Sequence, residues 1–201
     1  MNATARSTTA VLALHWQVNV VAPEGFFAAL LAAPVAESGV IPRAEQFHRR
    51  AREAGALIVW TRFTVPVGEG ELVHNTGFMR AVAQSQEAFR PDAPGAQLIS
   101  SMSTGADDWV EGNQRLSGLA GTDLPDRLRA AGITTLLVTG VATNITVEQT
   151  ARHATDLGFF THVVTDCVAA SSPEISTWSL ANIELATNGN LTSEEALALL
   201  G

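Results

Sequence analysis

The stretch Ile133–Phe160, ITTLLVTGVATNITVEQTARHATDLGFF, decides the fold. It opens with an apolar, β-branched run over Ile133–Val138 that reads as a buried strand, and Gly140 breaks that run. From about Thr146 the spacing changes. Val147, Thr150, Ala151, Ala154 and Leu157 recur three or four residues apart, giving one apolar helical face that Gly158 ends. Strand, tight turn and helix are half of a βαβ unit, with the turn at the carboxyl edge of a sheet, where open parallel sheets bind ligands. A helix N-terminus at that edge also offers unpaired N–H groups and a positive dipole end. Thr146 therefore stands where a nucleophile or an oxyanion pocket can be built.

Working outward, Thr9–Leu14 reads as the first strand and Phe26–Ala33 as a short helix. Pro42 opens a helix that runs to Ala54 and stops at Gly55, with Phe47 and Ala51 inward and Arg49, Arg50 and Arg52 on a solvated face. Leu57–Thr61 is the second strand, ending at Arg62. The long connection from Phe63 to Thr76, with Pro66, Gly68 and Gly70, reads as the wall or lid of a pocket. Helical spacing follows over Thr76–Ala88, then a third strand over Trp109–Gly112, and a helix over Asp123–Ala131 that Gly132 stops. Beyond the central unit come a fifth strand, His162–Thr165, and a helix, Pro173–Thr187. Thr192 and Glu195 form a capping box, with Leu191 just before them as a candidate sixth strand. Strands alternating with helices predict a single α/β domain over residues 1–201, doubly wound (Rossmann-like) and three-layered, with a mainly parallel six-stranded sheet and residues 1–7 as a flexible tail.

Composition narrows the function classes. Hydrophobic residues make up 46% of the chain and charged residues 16%, enough for a full core and unlike a disordered chain. A net charge of −8 disfavours nucleic acid or an anionic membrane as partner. The apolar run Ala10–Leu14 is too short to span a membrane and has no cleavage-like segment after it. A single cysteine, Cys167, forms no internal disulfide, which points to the cytoplasm; it reads as a small core residue rather than a nucleophile. The histidines show no metal-ligand spacing, and nothing in the chain calls for a cofactor. The expected partner is a small-molecule substrate.

The topology puts His15, Arg62, Asn113, Thr146 and Asp166 just past the carboxyl ends of strands, and predicts that they converge. The segment TGVATNITVEQTAR at 139–152 resembles the turn of the isochorismatase-like hydrolases, also called the cysteine hydrolase superfamily. The resemblance extends from about Thr9 to the C-terminus and implies a general base after the first strand, a lysine, and a cysteine nucleophile. At those positions this chain has His15, Asn113 and Thr146 in place of aspartate, lysine and cysteine. Asn113 lies four residues before Ser117-Gly118-Leu119, and all of the chain's basic residues other than histidine are arginine, so no shift of alignment supplies a lysine. Val141–Ala142 matches a peptide that is cis in relatives. Where nicotinamidases of the family carry zinc ligands after the second strand, this chain has Arg62-Phe63-Thr64-Val65, so the resemblance implies no zinc site here. Relatives are commonly homo-oligomers, and a homo-oligomer is expected.

Three polar replacements that can bond one another suggest an altered site. In that reading His15 is the general base toward Thr146 or a water, Asn113 donates to substrate or orients His15, and the 141–146 backbone holds the oxyanion. Trp16, Gln17, Arg62, Val141 and Ala142 are candidate substrate-binding residues. Each has a plainer alternative. Thr146 is also a helix cap, His15 a hydrogen-bonded core residue and Asn113 a turn former; Arg62 suits an ion pair with Asp166, and Trp16 core packing. Three functions follow: a cysteine-free hydrolase of an amide, ureide or ester; acid-catalysed cleavage of a vinyl ether with His15 as imidazolium; or a silent relative that binds a ligand or partner.

Overall fold

The computed structural model describes residues 7–68, 70 and 72–200. Six strands, β1 Thr9–Leu14, β2 Leu57–Phe63, β3 Trp109–Asn113, β4 Thr135–Val141, β5 Phe160–Ala169 and β6 Asn190–Leu191, form one sheet in the order β3-β2-β1-β4-β5-β6. Every pairing is parallel. The helices are α1 Val18–Val21, α2 Ala28–Ser38, α3 Val40–Glu53, α4 Gly77–Gln84, α5 Leu124–Ala130, α6 Glu148–Asp156, α7 Pro173–Ala186 and α8 Ser193–Ala198. None is long and apolar enough to cross a membrane. The sheet alternates its side chains between two cores. Val11, Ala13, Ile58, Trp60 and Leu137 pack with Phe47 and Ala51 of α3, Leu31 and Val35 of α2 and Ala196 of α8. Ala10, Leu12, Leu14, Val59 and Val138 pack with Leu124 and Leu128 of α5, Ala151 and Ala154 of α6 and Ile183 of α7. The expected three-layer, doubly wound architecture is therefore present, with the sixth strand and with the capping box of Thr192 and Glu195.

This strand order reverses direction between β1 and β4, and the crevice outside the carboxyl ends there is the usual ligand position of such sheets. Gly140 does not end β4 as its residue type suggests. The strand continues to Val141, pairing Gly140 with Leu14. The glycine is needed because φ is +137° and a Cβ would fall 2.3 Å from the Leu14 carbonyl oxygen. After β4, residues Thr143–Val147 make one turn of π-helix before α6 begins at Glu148, two residues later than the apolar spacing indicates.

Other boundaries differ from expectation for local reasons. β5 runs from Phe160 to Ala169, well beyond Thr165, because Asp166 hides the strand pattern while its carboxylate accepts from the Ser193 N–H and hydroxyl. Asp166 thus lies within a strand rather than past one, and Cys167 is buried beside it. β2 likewise continues through Arg62 to Phe63. α2 carries Pro34 in its interior and runs on to Ser38, held by the burial of Leu31, Ala32 and Val35. The helical segment after Thr76 ends at Gln84 and tightens into a 3₁₀ turn over Gln86–Phe89. The tail assigned to residues 1–7 lies outside the described residues except for Ser7.

Candidate active site

His15 is the first residue after β1, and its N–H still bonds the Thr61 carbonyl at 3.1 Å. Its φ is +54°, the left-handed region that a residue with a Cβ enters at a cost of about 1–3 kcal/mol, and such outliers concentrate at functional positions. The turn breaks the strand and lays the imidazole across the sheet edge. There its Nε2 sits 3.1 Å from Oδ1 of Asn113, the last residue of β3. Asn113 also donates through Nδ2 to the Arg115 carbonyl at 2.7 Å. A carbonyl only accepts, so this second bond fixes the amide with Oδ1 toward the ring, and His15 must carry its proton on Nε2. Nδ1 then holds the lone pair. Burial pulls the His15 pKa down to about 4, with the Asn113 bond opposing. The ring is therefore neutral at physiological pH.

Thr146 arrives from the other side of the crevice. The Val141–Ala142 peptide is cis. Beyond it, the amides of Ile145 and Val147 both donate to the Ala142 carbonyl, at 3.1 and 3.2 Å. α7 pins this turn from outside. Ser176 shares a hydrogen bond with the Thr143 hydroxyl at 3.0 Å, and Ser179 donates to Glu148 Oε2 at 2.6 Å while lying 3.2 Å from the Thr143 carbonyl. The Thr146 side chain is 2% exposed, and its hydroxyl has no hydrogen-bond partner among the described residues.

His15 and Thr146 line one cavity with Val141 and Ala142, and the space open to the centre of a water molecule is about 40 Å³. A single water needs about 10–15 Å³ by that measure, so a fragment of a few heavy atoms fits. Most of the wall is hydrocarbon. Phe27, Leu30 and Leu31 come from the α2 region, Phe63 from the end of β2, Phe78 and Val82 from α4, and Leu116 and Ile145 from the loops. Of the Phe63–Thr76 connection expected to form a wall or lid, Phe63 lines the cavity, and Phe78 and Val82 reach it from the helix that follows. The apolar character of the wall was missed in the sequence, where Ile145 beside the turn was its nearest signal. Arg115 also reaches the cavity while making interactions of its own.

The remaining candidates go elsewhere. Asn113 stands behind the imidazole rather than on the cavity wall. Gln17 is fully buried and spends its amide on the backbone, accepting from Phe63 N and donating to the carbonyls of Phe63 and Ala96. Trp16 is buried in the core edge-on to His48, ring centroids 6.1 Å apart. Arg62 donates to Gln97 at 2.8 Å, pairing neither with the cavity nor with Asp166. The expected five-residue convergence is thus a convergence of His15, Asn113 and Thr146. Among the described residues no group of three potential ligands gathers to hold a metal ion.

Residues 9–195 match the Isochorismatase domain model. The chain is 32% identical over 157 residues to the ureidoacrylate amidohydrolase RutB of Methylobacterium radiotolerans, a match covering 72% of this chain and 61% of that relative. It is 30% identical over 165 residues to the uncharacterized isochorismatase family protein YwoC of Bacillus subtilis, covering 82% of this chain and 85% of that protein. Among solved structures, a cysteine hydrolase from Pseudomonas syringae superposes with a TM-score of 0.83 at 23% identity, covering 96% of this chain and 92% of that one. The pyrazinamidase of Pyrococcus horikoshii superposes with a TM-score of 0.71 at 24% identity, covering 92% and 99%.

Proposed function

This chain belongs to the isochorismatase family, and on that premise we propose that it is a small-molecule hydrolase whose site works without cysteine, cleaving an amide, ureide, ester or similar bond. The observation that carries the reading is a neutral imidazole of fixed tautomer sharing a cavity wall with an unpartnered hydroxyl. His15 Nδ1 takes the proton from the Thr146 hydroxyl, or from a water beside it, as oxygen attacks the carbonyl carbon, and the resulting imidazolium returns that proton to the leaving group. On the threonine route a water, deprotonated by Nδ1, then attacks the acyl-threonine ester, and the imidazolium gives its proton back to the departing Thr146 oxygen. The amides of Ile145 and Val147 are committed to the Ala142 carbonyl, so the oxyanion falls to other N–H groups of the 141–146 turn. Asn113 is a positioning residue that holds the tautomer. Kinship with ureidoacrylate amidohydrolases supports the bond class.

The pKa of about 4 weighs against acid-catalysed vinyl-ether cleavage, since forming the imidazolium at pH 7 costs about 4 kcal/mol at 1.36 kcal/mol per unit. A second reading, a relative that binds its ligand without turning it over, is favoured by the Thr146 hydroxyl making no bond to the base. A panel of amides, ureides and esters, assayed with wild type and His15→Ala and quenched for mass spectrometry, separates these. An adduct on Thr146 marks covalent catalysis. Turnover that needs His15 but leaves no adduct marks water attack. Turnover unaffected by His15→Ala refutes the proposal. We also place the protein in the cytoplasm, in keeping with its single buried cysteine. It is a homo-oligomer in this reading, supported by Trp178 and Leu185 standing 73% and 90% exposed on α7. A monomer mass in sedimentation would remove that element.

A further inference from the structure

The wall of the cavity limits what can bind there. Exposure grades along it: Thr146 is 2% and His15 6% exposed, whereas Phe78 is 37% and Leu30 48% exposed. The reacting groups therefore form the floor, and Phe78 and Leu30 stand at the mouth. Between floor and mouth the surface is hydrocarbon, including Phe27, Val82, Leu116 and Ile145. Phe27 and Phe78, both on the wall, stack almost parallel, 7° apart with centroids at 5.2 Å. Thr76 caps the start of α4 through the Met79 N–H, and Met79 and Val82 are buried, so Phe78 is held on an anchored helix.

We propose that this site takes an uncharged, short aliphatic acyl compound and discriminates against one bearing a carboxylate, with Phe78 setting the acyl length. A hydrocarbon wall gains free energy from each methylene it covers, by a factor of about four in affinity per methylene. The same wall offers a carboxylate no replacement for its lost hydration. Arg115 is the one cationic side chain on the wall and is already engaged in other interactions. The neutral His15 ring adds no positive charge at the floor. The space of about 40 Å³ limits the acyl group to a few carbons before it meets the Phe27–Phe78 pair. The reaction rests on the hydrolase reading; the ligand class does not.

The test separates the two by measuring binding and turnover independently. Acetamide, butanamide, hexanamide, succinamate and 4-methylpentanamide, the uncharged compound of succinamate's shape, are titrated by calorimetry, and ammonia release is followed in parallel. Affinity is expected to rise about fourfold per methylene from acetamide to butanamide and to fall for hexanamide. Succinamate is expected to bind at least about tenfold more weakly than 4-methylpentanamide. Phe78→Ala should restore hexanamide binding. Phe78→Leu, a smaller change, should do so in part, and thermal melts of both report whether the fold is kept. Succinamate binding as tightly as 4-methylpentanamide overturns the proposal, and its loss on Arg115→Gln would identify the competing carboxylate site. An unchanged length optimum in both folded Phe78 variants removes the role of that ring. Binding in the expected order without ammonia release supports the ligand class and removes the primary amide from the hydrolase reading. Ammonia release fastest from succinamate does the reverse.

Discussion

Asn113→Asp is the sharpest probe of the proposed base. In the wild type the amide oxygen faces His15 Nε2 at 3.1 Å, and burial holds the ring pKa at about 4. A carboxylate at that position puts a full negative charge roughly 4 Å from the imidazolium centre. At an effective dielectric of about 20 this is worth about 4 kcal/mol. Divided by 1.36 kcal/mol per unit, it raises the pKa by about three units, from about 4 to about 7. The side chain also loses its donor to the Arg115 carbonyl, so some stability is lost, on the order of 1–3 kcal/mol. The His15 Cε1–H resonance, followed from about pH 3 to about pH 9, reads the pKa directly, and kcat/KM over the same range reads its consequence. Wild-type kcat/KM should rise through about pH 4 and stay level across neutrality, because the unprotonated ring is the active form. In the variant the inflection moves to about 7, leaving roughly a tenth of the plateau activity at pH 6. An inflection that stays near 4 in the folded variant refutes the electrostatic reasoning. Wild-type activity that falls tenfold per pH unit above 4 would instead make His15 an acid.

Three further substitutions test the packing around this site. Thr146→Val removes a buried, unpartnered hydroxyl while keeping the shape, so stability should hold or rise by up to about 1 kcal/mol in urea unfolding, with turnover lost on the threonine route and retained on the water route; a loss of stability would mean that the hydroxyl has a structural partner. Gly140→Ala forces a Cβ to 2.3 Å from the Leu14 carbonyl oxygen at φ +137° and should destabilise by about 3 kcal/mol or more, against nearly nothing if the strands can separate. His48, bonded to the Thr139 hydroxyl at 2.8 Å beneath the sheet, has its pKa lowered to about 3 by burial and by Arg52, with Asp108 opposing. Its unfolded pKa is 6.5, so the unfolded chain binds the proton first as pH falls. The contribution is complete above about 6.5 and decays toward 3. The loss between pH 7 and 5 is about 2 kcal/mol. His48→Gln should remove that part of the slope, and an unchanged slope would place the acid sensitivity elsewhere.

The architecture was legible because it rests on periodicity. The 133–160 stretch alternates between a strand and a helix with few polar interruptions, so its βα unit could be read before any contact was known. Boundaries failed where a residue type has two physical uses. Gly140 looks like a terminator, but its missing Cβ is what lets Leu14 pass close in the next strand. Asp166 looks like a loop residue, but the start of α8 satisfies its carboxylate and the strand runs on. Both outcomes depend on a neighbour distant in sequence, which no local pattern encodes.

The candidate site was legible by position and illegible by partner. Topology correctly brings the ends of β1, β3 and β4 together, and with them His15, Asn113 and Thr146. It cannot tell whether a polar side chain arriving there is already spent. Gln17 and Arg62 are equally plausible from sequence, yet Gln17 spends its amide on the backbone, the normal fate of a buried polar group, and Arg62 donates to Gln97 while its Nε stays unpartnered away from the cavity. Lacking a partner is not enough either, because Trp16 Nε1 and His48 Nδ1 are buried without one in the core, away from the cavity. What distinguishes Thr146 is that its unpaired hydroxyl lies on a cavity wall that also carries a histidine of fixed tautomer. An unpaired buried hydroxyl costs about 1–3 kcal/mol, and the cost is recovered only if a ligand or water supplies the missing bond. The two conditions taken together, an uncompensated polar atom and access to a shared space, select Thr146 over every other candidate drawn from the sheet edge.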